Sequence, residues 1–310
     1  MRLLDRTKFG IGLLLFLGAG GVVSALGAGG VDEGSVGKCK ECHARQAESF
    51  FSGNPHSKIW KNKTSADVAY SCETCHGSGE KHMKDREASS IISFSKGAKR
   101  EASQLSQQCL SCHTKSEKLA FWDMGAHKKN DVTCASCHKM HQGGEAVKPT
   151  AEVCLTCHKD IKSQVNKRSH HPIIEGKVTC ADCHNPHGSL NPKMLNAEST
   201  NQLCYKCHAD KRGPFLWEHA PVEENCATCH APHGSSHAKL LVEKVPNLCK
   251  NCHIQDGHGG AAYDGQLGFA GTQKAQFIAK GCVNCHSRIH GSNAPGGTPG
   301  NFNSGQYFLR

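Results

Sequence analysis

The clearest apolar run lies at the start of the chain. Phe9 to Leu17 is mostly hydrophobic and sits behind the basic residues Arg2, Arg6 and Lys8; Val23-Ser24-Ala25 follows as a small-residue stretch. A basic region, a short apolar core and small residues, in that order, are the layout of a secretory signal. Residues 1–25 therefore read as a signal peptide cleaved after Ala25, since the glycines after Leu17 make a weak membrane anchor. Beyond residue 30 no stretch approaches the roughly 20 apolar residues of a transmembrane helix. The remaining pattern predicts short helices and loops, with little or no β structure. Turn signals such as Asn185-Pro186, Ala231-Pro232 and Gly296-Gly297 punctuate it.

Composition sharpens this picture. Of 310 residues only 37% are hydrophobic and 6% aromatic, while glycine numbers 33. Such a chain is poorly equipped to fill its own interior, so a compact fold needs another filler. Twenty cysteines in an exported protein would by default be a disulfide framework. Their spacing rejects that reading.

Every cysteine belongs to a C-x-x-C-H motif. The first five are Cys39 and Cys42 with His43, Cys72 and Cys75 with His76, Cys109 and Cys112 with His113, Cys134 and Cys137 with His138, and Cys154 and Cys157 with His158. The last five are Cys180 and Cys183 with His184, Cys204 and Cys207 with His208, Cys226 and Cys229 with His230, Cys249 and Cys252 with His253, and Cys282 and Cys285 with His286. This is the attachment signal for haem c: two thiols bond the vinyl groups and the next histidine ligates the iron. Zinc sites also use C-x-x-C pairs, but zinc does not explain a histidine after every second cysteine. Ten covalently bound haems c follow, with no cysteine left over.

Each iron then needs a sixth ligand or an open position. Met83, Met124, Met140 and Met194 are too few. Twelve histidines lie outside the motifs, and a repeat sorts them. Cys134, Cys180 and Cys226 are each 46 residues apart. Around them runs a two-haem unit: motif, spacer histidine, second motif, then a histidine soon after. Five units start near 39, 109, 154, 204 and 249. Their spacer histidines are His56, His127, His171, His219 and His258; those after the second motif are His82, His141, His187, His233 and His290. His170 and His237 are left over, and taking His171 over His170 is a judgement because both precede Pro172. The ten in phase predict bis-histidine iron throughout. In CASCHKMH, CADCHNPH and CATCHAPH the two histidines are three residues apart, a reach of at most about 10–11 Å. The second should therefore serve a neighbouring haem, and haems should be close neighbours. Which distal histidine serves which iron stays open.

The fold class expected is a multihaem cytochrome c, mostly irregular with short α-helices, arranged as a quasi-linear array of five dihaem repeats. Residues 26–290 form the decahaem domain, and 291–310 a Gly/Asn-rich tail that reads as extended or mobile. The formal charge of +10 falls to +8 once residues 1–25 are removed, leaving 34 basic and 26 acidic residues. The propionates of the haems account for much of this excess locally. No nucleic-acid motif is present, so no nucleic-acid partner is expected.

The phrases NKRSHHP, TCADCHNPHGS, KRGPFLWEHAPVEENCATCHAPHGS and CVNCHSRIHGSN resemble the MtrA-type (DmsE/MtoA/PioA) decahaem cytochromes. The likeness runs from about Cys39 to Asn293. It implies a periplasmic wire with all ten haems bis-histidine ligated, including His171 rather than His170. The wire would lie within an outer-membrane β-barrel of the MtrB type, linking periplasmic or inner-membrane cytochromes to metal-oxide reduction or Fe(II) oxidation outside, with an extracellular multihaem cytochrome as a further partner. This chain departs from several relatives in a short lead before Cys39 and a longer, glycine-rich tail. The competing readings are a soluble periplasmic multihaem carrier and a multihaem reductase. A reductase needs an iron with an open position, and here every iron has a candidate sixth ligand, so no catalytic residue is assigned.

Overall fold

The computed structural model describes residues 33–62, 71–95, 100–142, 150–191, 193–253, 281–295 and 305–308. The signal expected at 1–25 and the candidate ligand His258 lie outside these residues. The architecture is short helices joined by loops. The longest helices are Glu33–Phe51, broken at His43 by a non-helical backbone, and Ala102–His113. Most others span a single turn, such as Cys134–Cys137, Cys180–Cys183 and Thr200–Cys204. Among the described residues there is no strand; four isolated bridges, Ser169 to Ser235, His184 to Leu195, Trp217 to Ser292 and His230 to Leu241, are the only β contacts.

The motif itself explains these single turns. In eight motifs the histidine N–H donates to the carbonyl of the first cysteine, at 2.9–3.1 Å, as in His138 to Cys134 and His158 to Cys154. One helical turn puts both thiols and the imidazole on one face. Only that turn is needed, and the sequence does not extend it.

The core is small. Val36, Trp60, Leu105, Trp122, Val165 and Leu195 are the buried apolar side chains among the described residues. At about 1.5–3 kcal/mol each, so few cannot offset the ordering entropy of a chain this long. Buried polar side chains instead staple loops. Asn201 donates to the Val222 and Glu223 carbonyls at 2.8 Å and accepts from the Cys226 N–H at 2.7 Å.

The 46-residue repeat is visible bond for bond. The His184 ring faces the Lys193 carbonyl at 2.9 Å and the His230 ring faces the Lys239 carbonyl at 2.9 Å. Asn185 donates to Met194 and Ala231 to Leu240, both at 2.7 Å; Asn196 donates to Cys183 and Val242 to Cys229, both at 2.9 Å. The described parts of the tail differ from the expected free segment. Residues 291–295 pair with Trp217, and 305–308 fold back on the last motif. Among the described residues no helix is long and apolar enough to cross a membrane.

Candidate haem sites

The motif histidines and the other histidines meet in pairs. With metal–imidazole bonds of about 2 Å and roughly 1 Å more from each nitrogen to its ring centre, imidazoles trans across one iron have centroids about 6 Å apart. Nine pairs in the structure have that spacing. His43 and His82 lie 6.2 Å apart, His56 and His113 5.9 Å, His76 and His141 5.7 Å. His127 and His158 lie 6.1 Å apart, as do His138 and His187. His171 and His208 are separated by 6.3 Å, His184 and His233 by 6.0 Å, His219 and His253 by 6.2 Å, and His230 and His290 by 6.1 Å. His286 is the remaining motif histidine, and the unplaced candidate is His258.

The pairs obey a rule that the sequence did not reveal. The spacer histidine of each of the first four units meets the first motif of the next unit. The histidine after each second motif meets the second motif of the previous unit. Neighbouring units therefore complete one another in both directions. At the N-terminal end His82 turns back to His43 of its own unit. Second-motif pairs are close to parallel, at 10–20°. The spacer pairs at His56, His127 and His171 are crossed by 76°, 67° and 54°, while that at His219 is near parallel at 23°.

Hydrogen bonds fix which ring nitrogen is free. Nδ1 faces a backbone carbonyl in His76 (Ile92, 2.7 Å), His82 (Glu87, 3.0 Å), His127 (Pro186, 2.8 Å) and His171 (Pro232, 2.6 Å). His219 faces Ile289 at 3.2 Å in the same way. A carbonyl only accepts, so Nδ1 carries the proton and Nε2 keeps a lone pair for a metal. Burial first, and the facing imidazole second, hold His56, His141, His187 and His233 below the ordinary histidine value. These rings are neutral at physiological pH, as metal ligation requires.

His127, His171 and His219 donate to the carbonyl just before His187, His233 and His290 respectively. Each joint between units thus ties its two distal histidines together. The joint of units one and two does this through Asn54, which is fully buried. Its Oδ1 faces His56 Nδ1 at 3.2 Å and accepts from the His56 N–H at 2.9 Å; its Nδ2 donates to the Met140 and Gln142 carbonyls, at 2.6 and 3.0 Å. Those carbonyls flank His141. Asn54 escaped the reading of the sequence, although its place two residues before His56 was a signal. Gly188 was missed as well. A Cβ there, at φ +113°, would collide with the Phe121 carbonyl, so the preceding unit lies directly over the residue after His187.

The cysteines order the motifs. First cysteines meet within a unit: Cys39 with Cys72, Cys109 with Cys134, Cys154 with Cys180, Cys204 with Cys226, and Cys249 with Cys282. Second cysteines lie near enough to interact electrostatically across joints: Cys75 with Cys112, Cys137 with Cys157, Cys183 with Cys207, and Cys229 with Cys252. The motifs therefore neighbour one another in sequence order from first to last. As free thiols, Cys72, Cys154, Cys204 and Cys249 are pushed up to about 11 by burial first and the neighbouring thiol second. All twenty cysteines are free of disulfides.

Haem c fits these residues. Trp122 provides a further sign: it is 7% exposed, packs edge-on to His187 at 6.3 Å, and its buried Nε1–H finds no acceptor among the described residues. A carboxylate such as a haem propionate would satisfy that donor. His170 stands apart from the pairs, against the Lys167 carbonyl at 2.5 Å and Glu175 at 3.0 Å. His237 likewise joins no pair; its N–H donates to Ser235 Oγ at 2.9 Å.

Known proteins share these features. Residues 170–213 and 219–258 match the doubled CXXCH motif family, and residues 72–152 match the NrfB-like c-type cytochrome family. The multiheme cytochrome MtrA of Shewanella baltica (strain OS185) is 44% identical over 266 residues, covering 84% of this chain and 79% of the relative.

Proposed function

We propose that this chain, which belongs to the MtrA family of multihaem c-type cytochromes, is a ten-haem wire that carries electrons across the bacterial outer membrane inside a β-barrel. That it is an electron-transfer cytochrome with covalent haem c rests on the family and the motifs. The single observation that supports a wire is the unbroken order of neighbouring motifs, linked alternately through first and second cysteines. Haem c, when bound, supplies a one-electron iron couple.

In this reading the protein's residues bind, orient and exclude. Each C-x-x-C-H turn anchors one haem. The proximal ligands are the ten motif histidines, and the distal ligands are His56, His82, His127, His141, His171, His187, His219, His233, His258 and His290. The carbonyls that accept from Nδ1 fix the rings and raise their basicity. With two imidazoles per iron no coordination position is left for a substrate, which favours a carrier over an enzyme.

Export to the periplasm is part of the same proposal, through the signal at 1–25. A row of haems with propionates and irregular backbone is unsuited to hydrocarbon. Crossing the membrane therefore calls for a barrel wide enough to sheathe it, with many more than eight strands. The barrel is the proposed partner, with a periplasmic or inner-membrane cytochrome at the near end and an extracellular donor or acceptor, a multihaem cytochrome included, at the far end.

Proteoliposomes test this directly. The secreted protein should carry ten haems by intact mass. Vesicles holding the cytochrome and its genomic-neighbour barrel should pass electrons from an internal dye to an external acceptor, and either component alone should not. Tight vesicles that contain both and pass none would overturn the conduit and leave the soluble periplasmic carrier as the better account.

A further inference from the structure

In units three and four, the ring of the second-motif histidine is held by a carbonyl nine residues later: Lys193 for His184 and Lys239 for His230. The last unit departs from this pattern. His286 Nδ1 faces the carbonyl of Tyr307, 21 residues on, at 2.6 Å. The same turn makes a second bond to the motif region, from the Arg288 N–H to the Phe308 carbonyl at 3.0 Å. The Phe308 ring then packs on His219 with centroids 5.3 Å apart. His219 is the partner of His253. Four residues of the tail thus touch His286 and one imidazole of the His219–His253 pair.

The docking is built rather than incidental. Trp217 and Ser292 exchange two backbone bonds at 2.9 Å, Trp217 Nε1 donates to the Ala294 carbonyl at 3.0 Å, and Leu216 donates to Asn293 Oδ1 at 2.8 Å. Gly305 is buried on this platform. A Cβ there would overlap the Ala294 oxygen and come within 2.9 Å of Trp217 Cδ1. The turn at Gly305–Tyr307 follows directly and delivers the Tyr307 carbonyl.

We propose that residues 305–308 are a positioning clamp for the last two haems, taking the place of the nine-residue acceptor loop of units three and four. In the interior, each joint is held by the next unit. In the last unit, residues 305–308 supply both the acceptor for His286 and a cover for His219. The clamp acts through His286 and His219 and touches no iron. It rests on the bis-histidine reading above. Its chemistry is that of a ligand hydrogen bond: a carbonyl accepting from Nδ1–H makes the imidazole a better donor to ferric iron. Losing it raises the reduction potential.

Gly305→Val, which blocks docking, and a deletion of residues 305–310 test the clamp on the mature protein. Intact mass, low-spin EPR signals and a potentiometric titration are the readouts. Both variants should keep ten haems and low-spin iron. The component belonging to His286 should move up by about tenfold in its reduction equilibrium, or about 59 mV for one electron, and the His219 component should shift less. Phe308→Ala keeps the carbonyl, so it should move only the His219 component. Superimposable titrations for wild type and both tail variants would overturn the clamp, as would a shift spread over all ten components or loss of haem throughout the chain. Wild-type protein with fewer than ten haems or with high-spin iron would instead refute the ligation reading itself.

Discussion

The first joint and the second solve one problem in different ways. At the second joint His127 donates straight to the Pro186 carbonyl, and glycine follows His187 so that Phe121 can lie over it. At the first joint the acceptor is a side chain. Asn54 relays between His56 and the carbonyls on either side of His141, and the residue after His141 is Gln142 rather than glycine. Direct backbone contact requires a bare Cα at one position. An amide relay needs a buried side chain but no glycine. What is kept at both joints is the tie between two distal histidines, so the tie matters more than the way it is made.

Removing the relay should have the largest effect. Asn54→Ala leaves two carbonyls and the His56 ring without partners in a buried site, at roughly 1–3 kcal/mol for each group left unpaired. Thermal unfolding should show a lower midpoint, and the spectra of the His56 and His141 haems should broaden while the second joint stays unchanged. Asn54→Asp keeps the acceptor for His56 but loses both donors, and should fall between. Equal stability of Asn54→Ala and wild type would erase the distinction between the joints.

A smaller effect is expected from the mirror experiment. Gly188→Ala strains a left-handed backbone and pushes against the Phe121 carbonyl, costing about 1–3 kcal/mol. The matching change Gln142→Ala should stay within about 0.5 kcal/mol. Chemical denaturation of the two variants side by side measures the contrast; similar losses in both would show that the glycine has no special place.

The smallest effect concerns His170 at the third joint. Its hydrogen bond to Glu175, then the Lys167 carbonyl, raise its pKa above 6.5, and the same bond lowers Glu175 below 4.5. The histidine's contribution is fully present below 6.5 and is lost as pH rises through its raised value. The carboxylate's is present above 4.5 and is lost as pH falls through its lowered value. Melting curves of Glu175→Gln should therefore differ slightly from wild type around pH 4.5–6.5 and converge at high pH. A difference that grows with alkalinity would contradict the assignment.

Much of this molecule is written in its residues. The motif turns follow from C-x-x-C-H itself, and the expected shortage of a side-chain core matches the six buried apolar side chains among the described residues. The tight histidine pair in CADCHNPH pointed to a shared neighbour, and His187 does lie against His138 of the preceding unit. The forward reach of His56 and His127 was not legible, because a flexible spacer of that length reaches either way. Nor was the choice between His170 and His171 fixed by the pattern; the backbone turns His171 towards His208 and the Pro232 carbonyl, and His170 towards Glu175. The tail's Gly, Asn, Pro and Ser content reads as extended or mobile and gave no sign that Gly305 packs against Ala294 and Trp217.

The reciprocal pairing gives the array a grammar like linked arms. On the proposed ligation no interior repeat would be coordinatively whole by itself, because each would borrow a ligand from the neighbour on either side and lend one in return. A unit that has just received its haems would then wait for the following segment before its second iron is closed. Severing the chain at any joint uncovers one iron on each bank. Excising one whole 46-residue period from the middle would leave donors and recipients matched, and the closure of His82 on His43 intact. Reach can therefore change by whole repeats without rewriting the termini.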